Sequence, residues 1–204
     1  MRARRIGIRA MATAGLVSLL LCVVLVGFAQ VRQANPKENH EQHDFSIEQE
    51  IVPIERPVGL PESALQALQE DSAVISCLAD QNVKNDRVPS SWFVASEVHL
   101  AGPDEIDLIV LPAPLKASGP MHPAPNACFM GPYTGKFWVL RQAQKGYEIV
   151  LRDDAHDLGV RRTKWKGYRD IDTSLRTLNG TTIRLFRFDG KQYKLHSEKS
   201  EARR

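Results

Sequence analysis

The sequence lacks the short motifs that usually carry catalytic chemistry. It has no G-x-S-x-G elbow, no H-E-x-x-H, no phosphate-cradling glycine loop and no C-x-x-C. The familiar serine-hydrolase, zinc-protease, P-loop and thioredoxin-like readings are therefore without support. Acidic residues are also missing from the first 29 positions. There Arg2, Arg4, Arg5 and Arg9 precede an uncharged apolar run from Met11 to Ala29. A basic segment, an apolar segment and Gly27-Phe28-Ala29 before Gln30 make an export signal with an A-x-A-like cleavage site. The run is also near the ~20 residues that span a bilayer, so retention as an anchor, positive flank inside, is the competing reading. Residues 1–29 are thus a signal peptide or a membrane anchor, and the rest of the chain is expected on the periplasmic or extracellular side.

Cysteine is scarce, with three in 204 residues. Cys22 follows Leu19-Leu20-Leu21, whereas a lipid-attachment cysteine follows small residues. Cys77 and Cys128 remain, and in an oxidising compartment they are expected to pair. Closing a loop of about 50 residues contributes roughly 4 kcal/mol through the unfolded state. The other reading leaves Cys128 as a free nucleophile helped by His122.

Charge is unevenly placed. Residues 30–156 sum to −8 and residues 157–204 to +7. The halves either pair within one fold, the preferred reading, or leave a basic face for an anionic partner.

Residues 30–57 are polar, with Pro36, Pro53 and Pro57 and little to bury, and read as a flexible linker. Within them, His40, Glu41, His43 and Asp44 fall short of the four fixed ligands of a structural metal site. No metal or cofactor is expected. A single globular domain is assigned to 58–197 and a frayed tail to 198–204. Leu65, Leu68 and Ile75 share a helical face, and Asp71-Ser72 is placed to cap a second short helix carrying Val74, Ile75, Cys77 and Leu78. Ser91–Leu100 reads as a strand, with His99 and Glu97 as a surface pair. Asp107–Leu111 reads as a central strand covered on both faces. Six prolines between Pro112 and Pro132 make an irregular loop. From Gly135 onward, β-branched and aromatic runs are punctuated at Gly146, Lys166-Gly167, Asn179-Gly180 and Asp189-Gly190, the pattern of consecutive antiparallel strands. The expected class is α+β: a short helical segment on a mainly antiparallel sheet of about seven strands.

The elements Gly135-Lys136-Phe137-Trp138-Val139, Gly146-Tyr147-Glu148-Ile149-Val150-Leu151, Gly167-Tyr168-Arg169-Asp170-Ile171 and Phe186–Tyr193 resemble a group of uncharacterised exported bacterial proteins. The resemblance spans roughly the last third of the chain and implies an envelope protein, with no activity attached. Gly-Tyr-Arg-Asp-Ile and Phe-Asp-Gly also resemble FG-GAP propeller repeats. Those carry an Asp-rich calcium loop where this chain has Arg161-Arg162-Thr163-Lys164-Trp165-Lys166. Asp170 and Asp172 alone do not supply six to eight oxygens for Ca²⁺, and one unit does not make a propeller.

The expectation is an exported or membrane-anchored bacterial envelope protein acting as a non-catalytic binding or accessory domain. Its partners would be the membrane, through the N-terminal segment, and an envelope polymer or protein, not nucleic acid. The candidate surface is Arg161, Arg162, Lys164, Trp165, Lys166 and Tyr168, with Trp165 read equally as a packed turn residue. The alternative is an exported hydrolase with a site in the 112–132 loop, using His122 and His156; His156-Asp157, with Asp153 and Asp154 adjacent, reads first as the turn after the Tyr147 strand and second as half of an acid–base pair, and convergence of His122, His156, Asp153 and Asp170 in one pocket would favour the hydrolase.

Overall fold

The structure, a computed structural model, describes residues 43–46, 54, 56–81, 87–113, 126–131 and 134–202. The leader 1–29, His122 and most of the proline-rich loop lie outside them. In chain order the elements are β1 (His43–Ser46), α1 (Glu62–Gln69), α2 (Ser72–Asp80), a 3₁₀ turn at Ser90–Trp92, β2 (Phe93–Val98) and β3 (Asp107–Pro112). Then come α3 (Asn126–Phe129), β4 (Gly135–Ala143), β5 (Gly146–Ala155), β6 (Asp157–Trp165), β7 (Tyr168–Thr177), β8 (Gly180–Phe188) and β9 (Tyr193–Ala202). Among the described residues no helix is long and apolar enough to cross a membrane.

Asp71 starts α2 as expected: its Oδ1 accepts from the backbone N–H of Ala73 and Val74, satisfying two of the donors a helix start leaves open. The break at Asp71 also redirects the apolar face. Val74, Cys77 and Leu78 are buried, whereas Ile75 is exposed rather than continuing the face of Leu68. The β3 residues are all buried because the strand is covered twice. Leu108 and Val110 join Trp138, Leu140 and the helices, while Ile109 and Leu111 face Phe137 and Val139 in a second core. Asp107, at the start of β3, is fully buried and accepts from Leu100 N and Gln142 N.

The α+β, mainly antiparallel class stands, but the single sheet of about seven strands does not. There are two sheets, ordered β2-β3-β4-β5 and β1-β6-β7-β8-β9. The chain crosses from one to the other over His156 alone, whose N–H donates to Ser174 O at 2.8 Å. A one-residue bend leaves no turn signature, so periodicity reads straight through it. The four-stranded sheet is therefore a middle layer, with helices on one face and the five-stranded sheet on the other. Asp153 and Asp154 lie within β5, not in a turn after it.

Two expected boundaries move. His43–Ser46, inside the stretch read as linker, pair with β6 and bury Phe45 between the sheets. The edge of β6 offers the backbone partners that the sequence around Phe45 does not advertise. At the other end β9 continues through residues 198–202, read as frayed, because β8 provides ladder partners as far as Gly180↔Ala202. His99 bonds the carbonyl of Glu105 at 2.9 Å rather than pairing with Glu97.

The close approach at Gly180 carries a prediction. Its φ is +149°, and a Cβ there would meet the carbonyl oxygen of Glu201 at 2.0 Å. Ladder backbone cannot swing aside as a flexible side chain can. Gly180→Ala is expected to lower unfolding stability by about 2 kcal/mol or more in urea titration. Gly190→Ala, whose added Cβ meets nothing within 4 Å, should lose less, and equal losses would overturn the backbone-contact explanation.

Candidate binding surface

Lys166 and Gly167 form the two-residue turn between β6 and β7, closing the Trp165↔Tyr168 pair with φ of 51° and 87°. Two positive φ values in a two-residue hairpin make a type I′ turn, in which Asn and Gly are the usual occupants. The β8–β9 turn lies beside it. Asp189 N bonds Gln192 O, and Asp189 Oδ1 accepts from Lys191 N at 2.7 Å and Gln192 N at 2.9 Å. Lys166 Nζ reaches the carbonyl of Asp189 at 3.3 Å, tying the two turns together. Those backbone N–H groups, from Gln192 and Lys191, with Lys194 and Lys166 nearby, hold the Asp189 carboxyl below the usual carboxylate range.

Cations that are separated in the chain meet here. Arg162, Lys164, Lys166, Lys191 and Lys194 are all exposed, and among the described residues none has a carboxylate ion-pair partner. Lys164 instead donates to Ala101 O at 3.0 Å. Elsewhere four arginines of the basic third are matched. Arg161 bonds Asp172, Arg176 bonds Asp157 at 2.9 Å, Arg184 bonds Asp153 at 2.9 Å, and Arg187 lies 3.5 Å from Asp170. Arg184–Asp153 joins the basic third to the acidic part of the chain. Expected internal pairing is therefore mostly local, and the surplus positive charge collects at the joined turns.

Of the six residues singled out by sequence, the structure brings Arg162, Lys164, Trp165 and Lys166 to this end as exposed groups. The other two are engaged elsewhere. Tyr168 stacks on Phe188 with ring centroids 4.1 Å apart, and Arg161 is drawn onto Asp172. Trp165 is 46% exposed, with the Arg187 guanidinium 5.0 Å over its ring centroid. It is half turn packing and half open surface.

Lys191, Lys194, Arg187 and His196 were not legible as members of this surface. The Asp189-Gly190 turn is visible in the sequence, but its position beside Lys166 comes from strand order.

The described acid–base candidates do not converge. Asp153 is held by Arg184 and Asp170 by Thr163 Oγ1 at 2.8 Å and by Arg187. Among the described residues no group of three or more His, Cys, Asp or Glu side chains is placed to hold a metal. A polar groove of about 770 Å³ between α1 and β5 is lined by Ser63, Gln66, Glu70, Lys145 and Arg152. Its Arg152 is held by Asp71 at 2.6 Å and Ser72 at 2.9 Å.

The expected disulfide forms between Cys77 and Cys128, with Cα atoms 5.6 Å apart, joining α2 to α3. Set against protein-family models, curated proteins and solved structures, the chain matches none.

Proposed function

We propose that this domain is a non-catalytic binding module of a bacterial envelope, holding an anionic polymer through the joined β6–β7 and β8–β9 turns. The observation that carries the reading is the collection around the half-exposed Trp165 of five exposed cations that have no carboxylate partner among the described residues. A compact positive field attracts polyanions, and an indole beside it adds a flat apolar contact. Lys166 supports the same reading. At its φ of 51° a lysine costs about 1 kcal/mol more than glycine, so the turn keeps a charge at the expense of stability. On this reading the N-terminal segment directs the domain to the membrane or across it. The alternative hydrolase rests on His122, outside the described residues.

The test is retention on a sulfated or carboxylated polysaccharide. Replacing Lys164, Trp165 and Lys166 together with Ala should weaken affinity by at least about tenfold and leave the unfolding midpoint nearly unchanged. Retention should also fall as salt shrinks the screening length from about 10 Å at 0.1 M to about 3 Å at 1 M. Lys166→Gly should bind less tightly while unfolding later. Unchanged affinity in the triple variant would remove this surface from consideration.

A further inference from the structure

Among the described residues four strands end the two sheets: β1 and β9 in one, β2 and β5 in the other. An open strand edge presents unpaired N–H and C=O groups and recruits other chains unless it is blunted. Three of these edges are blunted. β1 is four residues long. β9 carries Lys194, His196, Glu198, Lys199 and Glu201 along an exposed strand. β2 is met by Val58, whose N–H donates to Ala95 O at 2.8 Å. β5 has none of these devices between Gly146 and Leu151. It reads Gly-Tyr-Glu-Ile-Val-Leu there, and its one charge, Glu148, is drawn back onto Arg141 of β4 at 3.0 Å. No described strand pairs with its far side.

This edge lies in the 770 Å³ groove. α1 makes one wall. Ser63 stands against Gly146, where an added Cβ would come within 2.7 Å of the serine Cβ, and Asp71, just past the helix, holds Arg152 at 2.6 Å. The helix therefore runs beside β5 in the same direction. Ser63, Gln66, Ala67 and Glu70, spaced i, i+3, i+4 and i+7, form the stripe that faces the groove. Tyr193, at the start of β9, lines it from the five-stranded sheet. At about 3.3 Å per residue the edge from Gly146 to Arg152 is about 20 Å long, the span of a heptapeptide. Two charges along it are unpaired. Lys145, at the β4–β5 turn, and Glu70, at the end beside Arg152, are exposed and have no ion-pair partner among the described residues.

We propose that the β5 edge is a peptide-binding site, taking an extended segment of a partner protein as a fifth, antiparallel strand of the four-stranded sheet. In strand addition the main-chain hydrogen bonds supply affinity and the walls read the side chains. Antiparallel pairing continues the pattern of this sheet and is the more stable kind. The N-terminal end of the added strand then lies at Glu70 and its C-terminal end at Lys145. The segment therefore carries a basic residue near its start and an acidic residue near its end. Between them its side chains alternate, polar ones toward Ser63 and Gln66 and apolar ones toward Tyr193. The inference does not rest on the anion-binding reading, whose five cations lie outside this groove.

The test selects a random heptapeptide library on the full chain and follows amide hydrogen exchange. Selected peptides should carry the basic residue first, the acidic residue last and alternating apolar residues between. They should slow exchange of amides within 146–152 by at least about tenfold. N-methylating alternate peptide residues keeps the side chains and removes ladder donors, and should weaken binding by at least about tenfold. In the Lys145→Glu/Glu70→Lys variant, affinity for the selected peptides should fall about fivefold and return when their end charges are exchanged. Unchanged affinity in that variant overturns the assigned direction and end charges. No selected peptide, a footprint outside 146–152, or binding that survives every pattern of N-methylation overturns the site. Protection of 146–152 that rises with protein concentration alone also overturns it, by giving the edge to a second copy.

Discussion

Reducing the Cys77–Cys128 bond is expected to lower unfolding stability by about 4 kcal/mol at 25 °C. The bond closes a loop with a sequence separation of 51 residues, and opening it returns that loop's freedom to the unfolded chain. The free energy should come largely from the unfolded state. Cys77 already sits in the helix-side core beside Val74 and Leu78, and Cys128 packs against its edge, so as free thiols they remain acceptable apolar residues. Urea unfolding of oxidised and reduced protein, with the Cys77→Ala/Cys128→Ala double variant as a third sample, measures this directly. The reduced protein and the double variant should fall together, within about 1 kcal/mol of each other, and well below the oxidised form. A loss under about 1 kcal/mol on reduction would mean that the unfolded chain holds α2 near α3 without the bond.

Trp138→Ala is expected to cost about 3–5 kcal/mol, the usual range for truncating a large buried aromatic. Trp138 is fully buried at the centre of the helix-side core. Phe93 and Phe129 meet it edge to face, with ring centroids 5.4 and 5.2 Å away and interplanar angles of 90° and 89°. Its neighbours on β3 and the helices are themselves held by pairing and by the disulfide, so the site has little freedom to collapse. The indole Nε1 has no hydrogen-bond partner among the described residues. Burying an unpaired N–H opposes folding, so Trp138→Phe removes that penalty while keeping a ring in place. The Phe variant should therefore lose under about 2 kcal/mol. Equilibrium denaturation of the two variants decides it. Equal losses would show that what matters is the exact indole outline rather than the aromatic packing.

Both effects depend on the four-stranded sheet being a middle layer, and the sequence was only partly informative about that. The continuous apolar run of β3 showed that some strand is covered on both faces. Which layer covers which face was hidden, because His156 redirects the chain without glycine, proline or a break in strand composition. The edge strand β1 was hidden for a related reason. Four residues with one apolar side chain, Phe45, carry too little pattern to stand apart from a polar linker, and their pairing with β6 spans more than a hundred residues.

The binding surface divides in the same way. Arg162, Lys164, Trp165 and Lys166 were visible as a cationic, aromatic turn because they are adjacent in the chain. Tyr168 and Arg161 are turned instead to Phe188 and Asp172, contacts that depend on strand register. Lys191, Lys194, Arg187 and His196 joined the surface only through the order β6-β7-β8-β9, which sets the two turns side by side.

By itself the sequence determined the strand-rich character, the hairpin turns, the cap of α2, the cysteine pair and the charge asymmetry. Each of those follows from residues near one another or from simple counts. The split into two sheets, the matching of four arginines of β6, β7 and β8 to aspartates, and the meeting of the two cationic turns were decided only by the tertiary structure. They depend on register and layer order, and those are set by which faces must be buried together, a condition on the whole domain that no short stretch of it contains.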